Sequence, residues 1–142
     1  MFGPHLMLDM YGCEGELGNA EFVRQLLDEL PGHINMTKIE EPRVTFYPGK
    51  EDSFDKGGVS GFVLIAESHI TLHTFMLQKY VSFDIFSCKN FDIDKAIGIL
   101  KKLFKPKIIE KNLVMRGRHF PRDVEVVKAM VGRHRTALRR NL

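Results

Sequence analysis

The central stretch Gly58–Cys88, GVSGFVLIAESHITLHTFMLQKYVSFDIFSC, decides the fold. It contains three runs rich in β-branched and aromatic residues, Val59–Ala66, His69–Phe75 and Tyr80–Phe86. Only short polar breaks separate the runs, so neighbouring runs are close enough to pair as antiparallel strands. The centre of the chain is therefore predicted to be an antiparallel sheet.

Three more strands are predicted outside this stretch, at His5–Tyr11, Arg43–Tyr47 and Lys107–Met115. A polar loop covers Pro48–Gly58, where glycines and charged residues interrupt the apolar pattern. These strands lie on both sides of the central ones, so one sheet can collect them all.

Three helices are interspersed with the strands. Asn19 is a capping residue for the first helix, whose apolar positions recur at helical spacing and which is predicted to end at Pro31-Gly32. Asp92 caps a second helix, and a third is predicted over Arg122–Leu138. The alternation indicates an α+β fold, a two-layer sandwich of a mainly antiparallel sheet with helices on one face.

The composition describes an ordinary globular chain. Its 142 residues are 44% hydrophobic and 27% charged, with a formal net charge of +3. This length predicts a single domain over residues 1–142 and excludes a disordered, collagen-like or disulfide-rich class. No apolar run approaches the roughly 20 residues that span a bilayer, and the N-terminus lacks the features of a signal peptide. We expect a cytoplasmic protein that does not bind membranes.

Charge is concentrated near the C-terminus. Four arginines lie in the last ten residues, Arg133, Arg135, Arg139 and Arg140, which leaves about −1 for residues 1–132. A basic tail can contact nucleic acid or an acidic partner. A solvated helix end is the commoner explanation, and no nucleic-acid function is predicted.

A polar cluster, Glu67-Ser68-His69, directly follows an apolar strand. Burying these groups without partners would cost several kcal/mol, so a turn between two strands is the simplest explanation. His69 and His73 share one face of a regular strand, but no third ligand stands at a recognisable spacing and no metal site is predicted. A nucleophile pair of Cys88 with His73 is an open alternative, while Cys13 is interpreted as structural.

The same stretch resembles the bacterial and archaeal S-adenosylmethionine decarboxylases, pyruvoyl enzymes of polyamine synthesis. The matching elements are Val59-Ser60-Gly61, Glu67-Ser68-His69, His73-Thr74 and Asp84–Cys88. Weaker similarity extends to both ends, at Gly3-Pro4-His5-Leu6, Cys13, Arg116-Gly117 and Phe120-Pro121-Arg122.

The resemblance implies a proenzyme that cuts itself between Glu67 and Ser68. The Ser68 hydroxyl attacks the Glu67 carbonyl to form an ester, and loss of the Ser68 α-proton then frees Glu67 as a new C-terminus. Ser60 and His73 assist, with His73 transferring protons. The products are a beta chain, residues 1–67, and an alpha chain, residues 68–142, whose first residue becomes a pyruvoyl group.

The resemblance also implies the reaction, that of a lyase. The pyruvoyl group from Ser68 forms a Schiff base with S-adenosylmethionine and accepts electrons as carbon dioxide leaves, without a metal. Cys88 matches the residue that donates a proton to the α-carbon, and Phe54 the aromatic that stacks on adenine. The product is the aminopropyl donor for spermidine synthesis, and relatives of this length pair as homodimers of processed protomers.

One residue departs from this pattern, and one spacing within it makes a demand on the structure. Leu77 stands where relatives carry a Glu that binds the ribose hydroxyls, which leaves open a pyruvoyl decarboxylase of arginine or ornithine. An uncut non-enzymatic paralogue is a further alternative. Ser68 and His73 are five residues apart, so a flat strand would place them on opposite faces. Ser68 must then lie in a turn or beyond a bulge if the two are to meet.

Overall fold

The computed structural model describes residues 2–140 and contains one antiparallel sheet of six strands in the order β2-β3-β4-β5-β1-β6. Every neighbouring pair is antiparallel, as the central stretch predicted. The strands are β1 (Gly3–Tyr11), β2 (Arg43–Tyr47), β3 (Gly58–Ile65), β4 (Ser68–Phe75), β5 (Tyr80–Ser87) and β6 (Ile108–Arg116). Together with the helices, this sheet confirms the predicted α+β class.

Two helices, α1 (Ala20–His33) and α2 (Ile93–Phe104), pack against one face of the sheet, and the rings of Phe22 and Phe104 meet edge to face between them. The side chain of Asn19 accepts a hydrogen bond from the Phe22 amide, which caps α1 as predicted.

The end of α1 differs from the prediction. Pro31 and Gly32 lie inside its last turn, and the helix continues to His33. Proline removes only one intrahelical donor at this position, and the Ile34 amide closes the end by donating to the Pro31 carbonyl (3.2 Å).

Side-chain alternation gives the sheet two unlike faces. The face under α1 and α2, which we call the covered face, forms the core. Its fully buried members are mostly aliphatic: Leu6, Leu8, Met10, Val59, Val63, Ile70, Leu72, Val81 and Ile85. The other face, the open face, carries His5, His69 and His73, and no described helix covers it.

The third helix, α3 (Val124–Arg140), begins two residues later than predicted, because the Asp123 carboxylate accepts from the amides of Glu125 and Val126. The side chains described along it are exposed, including Val124 and Met130. Within residues 2–140, no helix is long and apolar enough to cross a membrane.

Candidate active site

Ser68 lies at a tight turn. Strand β3 ends at Ile65, Ala66 and Glu67 form a two-residue turn, and Ser68 is the first residue of β4. Its φ angle of 131° lies in a region that L-residues with side chains rarely occupy, so the backbone at Ser68 is strained. The Ala66 amide donates to the Thr37 carbonyl (2.9 Å), which anchors the turn from the other side. The bond between Glu67 and Ser68 is therefore held in a defined, strained conformation.

Cys88 lies next to this bond. It directly follows β5, whose last residue, Ser87, pairs with Ser68. The Cys88 amide donates to the Glu67 carbonyl (3.3 Å). The structure thus brings together Glu67, Ser68 and Cys88, which are separated by up to 21 positions in the sequence. We call this group the Ser68 end.

A cavity of about 320 Å³ adjoins Cys88. It is lined by residues from the start of β1, the segment after β5 and the C-terminal part of the chain: Phe2, Gly3, Pro4, Cys88, Lys89, Asn90, Met115 and Arg122. Gly3 is required there, because a β-carbon would stand 2.0 Å from the Ser87 carbonyl oxygen. Strand β1 can therefore pack tightly against the chain that carries Cys88.

Ser60 and His73 form a second group, which we call the His73 end. They are directly opposite each other on β3 and β4, and the His73 Nδ1 and Ser60 Oγ atoms lie 2.8 Å apart. Both side chains are exposed on the open face, beside a cavity of about 350 Å³ that Arg43 and Phe62 also line. The hydrogen bond gives the hydroxyl and the imidazole a direct path for proton transfer.

The two groups stand at opposite ends of β4. Five residues of extended strand separate Ser68 from His73, a distance of about 17 Å at roughly 3.4 Å per residue. The turn before Ser68 is present, but it does not bring Ser68 to His73 within one chain. No residue lines both the cavity at Cys88 and the cavity at His73.

Phe54 and Leu77 lie on the loops near the His73 end. The Phe54 ring is 81% exposed and Leu77 is 69% exposed. Gln78 donates from its side-chain amide to the Phe54 carbonyl, and the Met76 amide donates to the Gly57 carbonyl (3.0 Å). These bonds tie the turn after β4 to the loop that carries Phe54.

Asp84 lies in the middle of the open face and was not singled out from the sequence as a site residue of its own. Its carboxylate faces His5 (2.7 Å) and His69 (3.4 Å), and Thr71 donates to it. His5 and Asp84 are 79 residues apart, so no local pattern could have paired them. Among the described residues, no group of three or more His, Cys, Asp or Glu side chains could hold a metal ion.

The two cysteines have different surroundings. Cys13 is buried in the core, where its thiol contacts the Met10 carbonyl (3.4 Å), and burial raises the pKa of this thiol to about 11. Cys88 is only half-buried and lies beside a cavity. Cys13 thus fits the structural role expected for it.

The fold and the site together define a small α+β protein with a strained Ser beside a Cys at one end of its sheet and a Ser–His pair at the other. The sequence model of the family S-adenosylmethionine decarboxylase matches residues 4–117. This chain belongs to that family.

Individual relatives agree with this assignment. The S-adenosylmethionine decarboxylase proenzyme of Clostridium botulinum (strain Loch Maree) is 35% identical over 118 residues, which cover 82% of this chain and 95% of that protein. The proenzyme of Archaeoglobus fulgidus is 32% identical over 117 residues, covering 81% and 97%. The crystal structure of the adenosylmethionine decarboxylase from Aquifex aeolicus superimposes with a TM-score of 0.65 at 28% identity, covering 86% of this chain and 95% of that one.

Proposed function

We propose that this protein is a self-processing decarboxylase that removes the carboxyl group of S-adenosylmethionine, using a pyruvoyl group made from its own Ser68. The observation that carries the proposal is the geometry of the Glu67–Ser68 bond. The bond follows a tight turn, its serine has a strained φ of 131°, and its carbonyl accepts a hydrogen bond from the Cys88 amide.

These contacts support self-cleavage in a specific way. When the Ser68 hydroxyl attacks the Glu67 carbonyl, negative charge develops on the carbonyl oxygen. The Cys88 amide is already aimed at that oxygen and stabilises the charge. The Ser68 amide nitrogen leaves the Glu67 carbonyl as the ester forms, and removal of the Ser68 α-proton then breaks the ester by elimination and frees Glu67. The dehydroalanine left at position 68 tautomerises to an imine, which water hydrolyses to the ketone with release of ammonia.

The two fragments, residues 1–67 and 68–142, remain associated after cleavage. Strand β1 belongs to the first fragment, and it pairs along its whole length between β5 and β6 of the second. Strands β3 and β4 likewise pair across the cut. Cleavage removes one covalent bond and leaves these pairings in place, so the two fragments behave as one domain.

The residues around Ser68 fit a pyruvoyl group. Ser68 becomes the first residue of its fragment, next to an opened turn, and Cys88, which is half-buried, directly follows its strand partner Ser87. Such a ketone supplies a covalent bond to the substrate amine and a place for the electrons left when carbon dioxide departs. Cys88 stands within reach to donate a proton to the substrate α-carbon. No metal takes part in this proposal.

A homodimer is part of the proposal, because one chain does not hold the whole set of residues together. Ser68 and His73 are about 17 Å apart along β4. The open face carries half-exposed aromatic side chains, among them Tyr47 and Phe62, which is typical of a surface that a second copy covers. A second copy on this face can bring its own His73 and Ser60 to Ser68 and Cys88.

Intact mass measurement of freshly purified protein tests the function first. Two masses that correspond to residues 1–67 and 68–142, the second with a ketone in place of the serine, are expected. A single uncut chain that remains uncut on incubation would contradict the proposal and favour a non-enzymatic protein.

Co-expression of two differently tagged variants tests the dimer. A Ser68→Ala chain cannot be cut, and a His73→Ala chain lacks its own proton-transfer group. In a mixed dimer of the two, the His73→Ala chain should be cut, because its Ser68 meets His73 of the other copy. If that chain stays uncut in the mixed dimer, Ser68 and His73 do not act between copies.

One observation supports a second candidate substrate. Leu77 cannot accept hydrogen bonds from ribose hydroxyls, and it lies exposed on the turn after β4. A pyruvoyl decarboxylase of arginine or ornithine would not need such an acceptor. Carbon dioxide release from S-adenosylmethionine, arginine and ornithine by the processed protein decides between them. For the S-adenosylmethionine reaction we propose a cytoplasmic location and a place in spermidine synthesis.

A further inference from the structure

The segment that follows β6 returns to the Ser68 end. Phe120 packs edge to face on Phe2, with 4.9 Å between ring centroids. The Arg122 guanidinium donates to two backbone carbonyls, those of Phe2 and Cys88. Arg122 also lines the cavity beside Cys88. The family model matches residues 4–117, so Arg122 lies just beyond it, in the stretch Phe120-Pro121-Arg122 whose similarity to the family is weaker.

Both backbone polar groups of Cys88, its amide and its carbonyl, are hydrogen-bonded. Its amide donates to the Glu67 carbonyl (3.3 Å), and its carbonyl accepts from Arg122. Hydrogen bonds from a charged guanidinium are stronger than neutral ones, and one nitrogen of Arg122, Nη2, donates to both carbonyls. Because Cys88 is the first residue after β5, it lacks the support of a continuing strand, and these two bonds replace that support.

We propose that Arg122 is a positioning residue for Cys88. It holds the Cys88 backbone so that the amide meets the Glu67 carbonyl during self-cleavage and the thiol faces residue 68 afterwards. This inference rests on the function proposed above and adds a residue to it. Arg122 also bonds the beginning of one fragment, Phe2, to the other fragment, and this bond is kept after the cut.

The first test follows self-cleavage in freshly folded protein by intact mass. Arg122→Met keeps the aliphatic stem and removes the donors, and we expect the rate constant of cleavage to fall about tenfold. Arg122→Lys keeps the charge but replaces the planar guanidinium with a more flexible ammonium, and we expect an intermediate loss of about threefold. Arg118→Met, at an exposed arginine of the same segment, is the matched control and should cleave within about twofold of the parent chain.

The second test reads the position of the thiol without any turnover. Iodoacetamide should alkylate Cys88 selectively, because Cys13 is buried and its pKa is raised to about 11. In Arg122→Met the loop that carries Cys88 is released, so its alkylation rate at neutral pH should rise at least about threefold over that of Arg118→Met. Ser68→Ala chains serve for this measurement, since they stay uncut.

The outcomes separate the inference from the proposed function. If Arg122→Met and Arg122→Lys cleave and alkylate like the control, Arg122 does not position Cys88. The same conclusion follows if Arg122→Met only lowers the melting temperature and both rates remain those of the parent chain. If the parent chain itself is never cut, the proposed function fails. The alkylation rates of Cys88 still test whether Arg122 positions this residue.

Discussion

The two ends of strand β4 differ in how their polar groups are held. At the Ser68 end, the backbone is strained and backbone amides and carbonyls make the contacts, as between Cys88 and Glu67. At the His73 end, the backbone is a regular strand and the contact is between side chains, from Ser60 to His73. In the proposed function, the first end breaks a bond in its own chain, whereas the second presents an exposed proton-transfer pair.

In the homodimer proposed above, this difference gives the two ends separate roles. A group that cuts its own backbone must be held within one chain, because the bond to be cut joins Glu67 to Ser68 and the attacking hydroxyl belongs to Ser68. A proton-transfer pair on an exposed strand can serve another molecule, because both of its side chains are exposed on the open face. The predictions below either contradict this division or define it more closely.

The largest expected effect is at Ser68. Ser68→Ala should abolish both cleavage and turnover, because no hydroxyl remains to attack Glu67 and no ketone can form. Ser60→Ala, at the other end, should slow cleavage by about tenfold without abolishing it, because Ser60 only assists proton transfer. Intact mass over time measures both. Equal effects of the two substitutions would contradict the comparison.

A substitution at Cys88 should affect the turnover of substrate far more than the rate of self-cleavage. Cys88→Ala keeps the backbone amide that faces the Glu67 carbonyl, so cleavage should stay within about threefold of the parent rate. Turnover should fall by about a hundredfold or more, because the proton donor is missing. The measurements are intact mass and carbon dioxide release from S-adenosylmethionine. Full turnover in Cys88→Ala would show that another group donates the proton.

A substitution at Leu77 tests whether the loops near the His73 end bind the substrate. Leu77→Glu restores a carboxylate where relatives carry one, and it should lower the KM for S-adenosylmethionine by about tenfold through hydrogen bonds to the ribose. The kcat should change little, because this contact exists before and during the reaction. Leu77→Gln is the uncharged control. An unchanged KM in both variants would remove this turn from the substrate site.

Asp84 should show the smallest effect. Asp84→Asn weakens the contacts with His5 and His69, which are partly exposed, and should cost about 1 kcal/mol of unfolding free energy. Chemical denaturation measures this change. Cleavage should keep its parent rate, because the side chains that contact Asp84, His5, His69 and Thr71, belong to neither group. A large fall in the cleavage rate would mean that the two ends communicate through the open face.

Much of the fold was predictable from local sequence. The strands around Ser68 have strong apolar patterns with short breaks, and Asn19 and Asp92 cap helices by contacts with residues three positions away. The predicted end of α1 is too early, because a proline is expected to break a helix. In the structure Pro31 is buried inside the last turn, and the helix continues to His33. Local signals therefore located the elements well and their ends less well.

The candidate site was predictable only in part. The Glu67–Ser68 bond and Cys88 were named from a resemblance, and their closeness depends on the pairing of β4 with β5. Asp84 as a centre for His5, His69 and Thr71 had no local signal, nor had Arg122, whose carbonyl partner Cys88 is 34 residues away. Such contacts depend on the register of paired strands and on where the segment after β6 packs. The periodicity of side chains along the sequence does not reveal either.

The sequence by itself determined the antiparallel α+β class, the residues of the Ser68 end and the family to which they point. Apolar alternation and capping act between near neighbours, so they can be seen before the chain folds. Only the tertiary structure decided that Ser68 and His73 lie at opposite ends of one strand, and that the segment after β6 returns to hold Cys88. Those arrangements depend on which strands become neighbours in the sheet. The strand order is the one that buries the apolar side chains of the whole covered face.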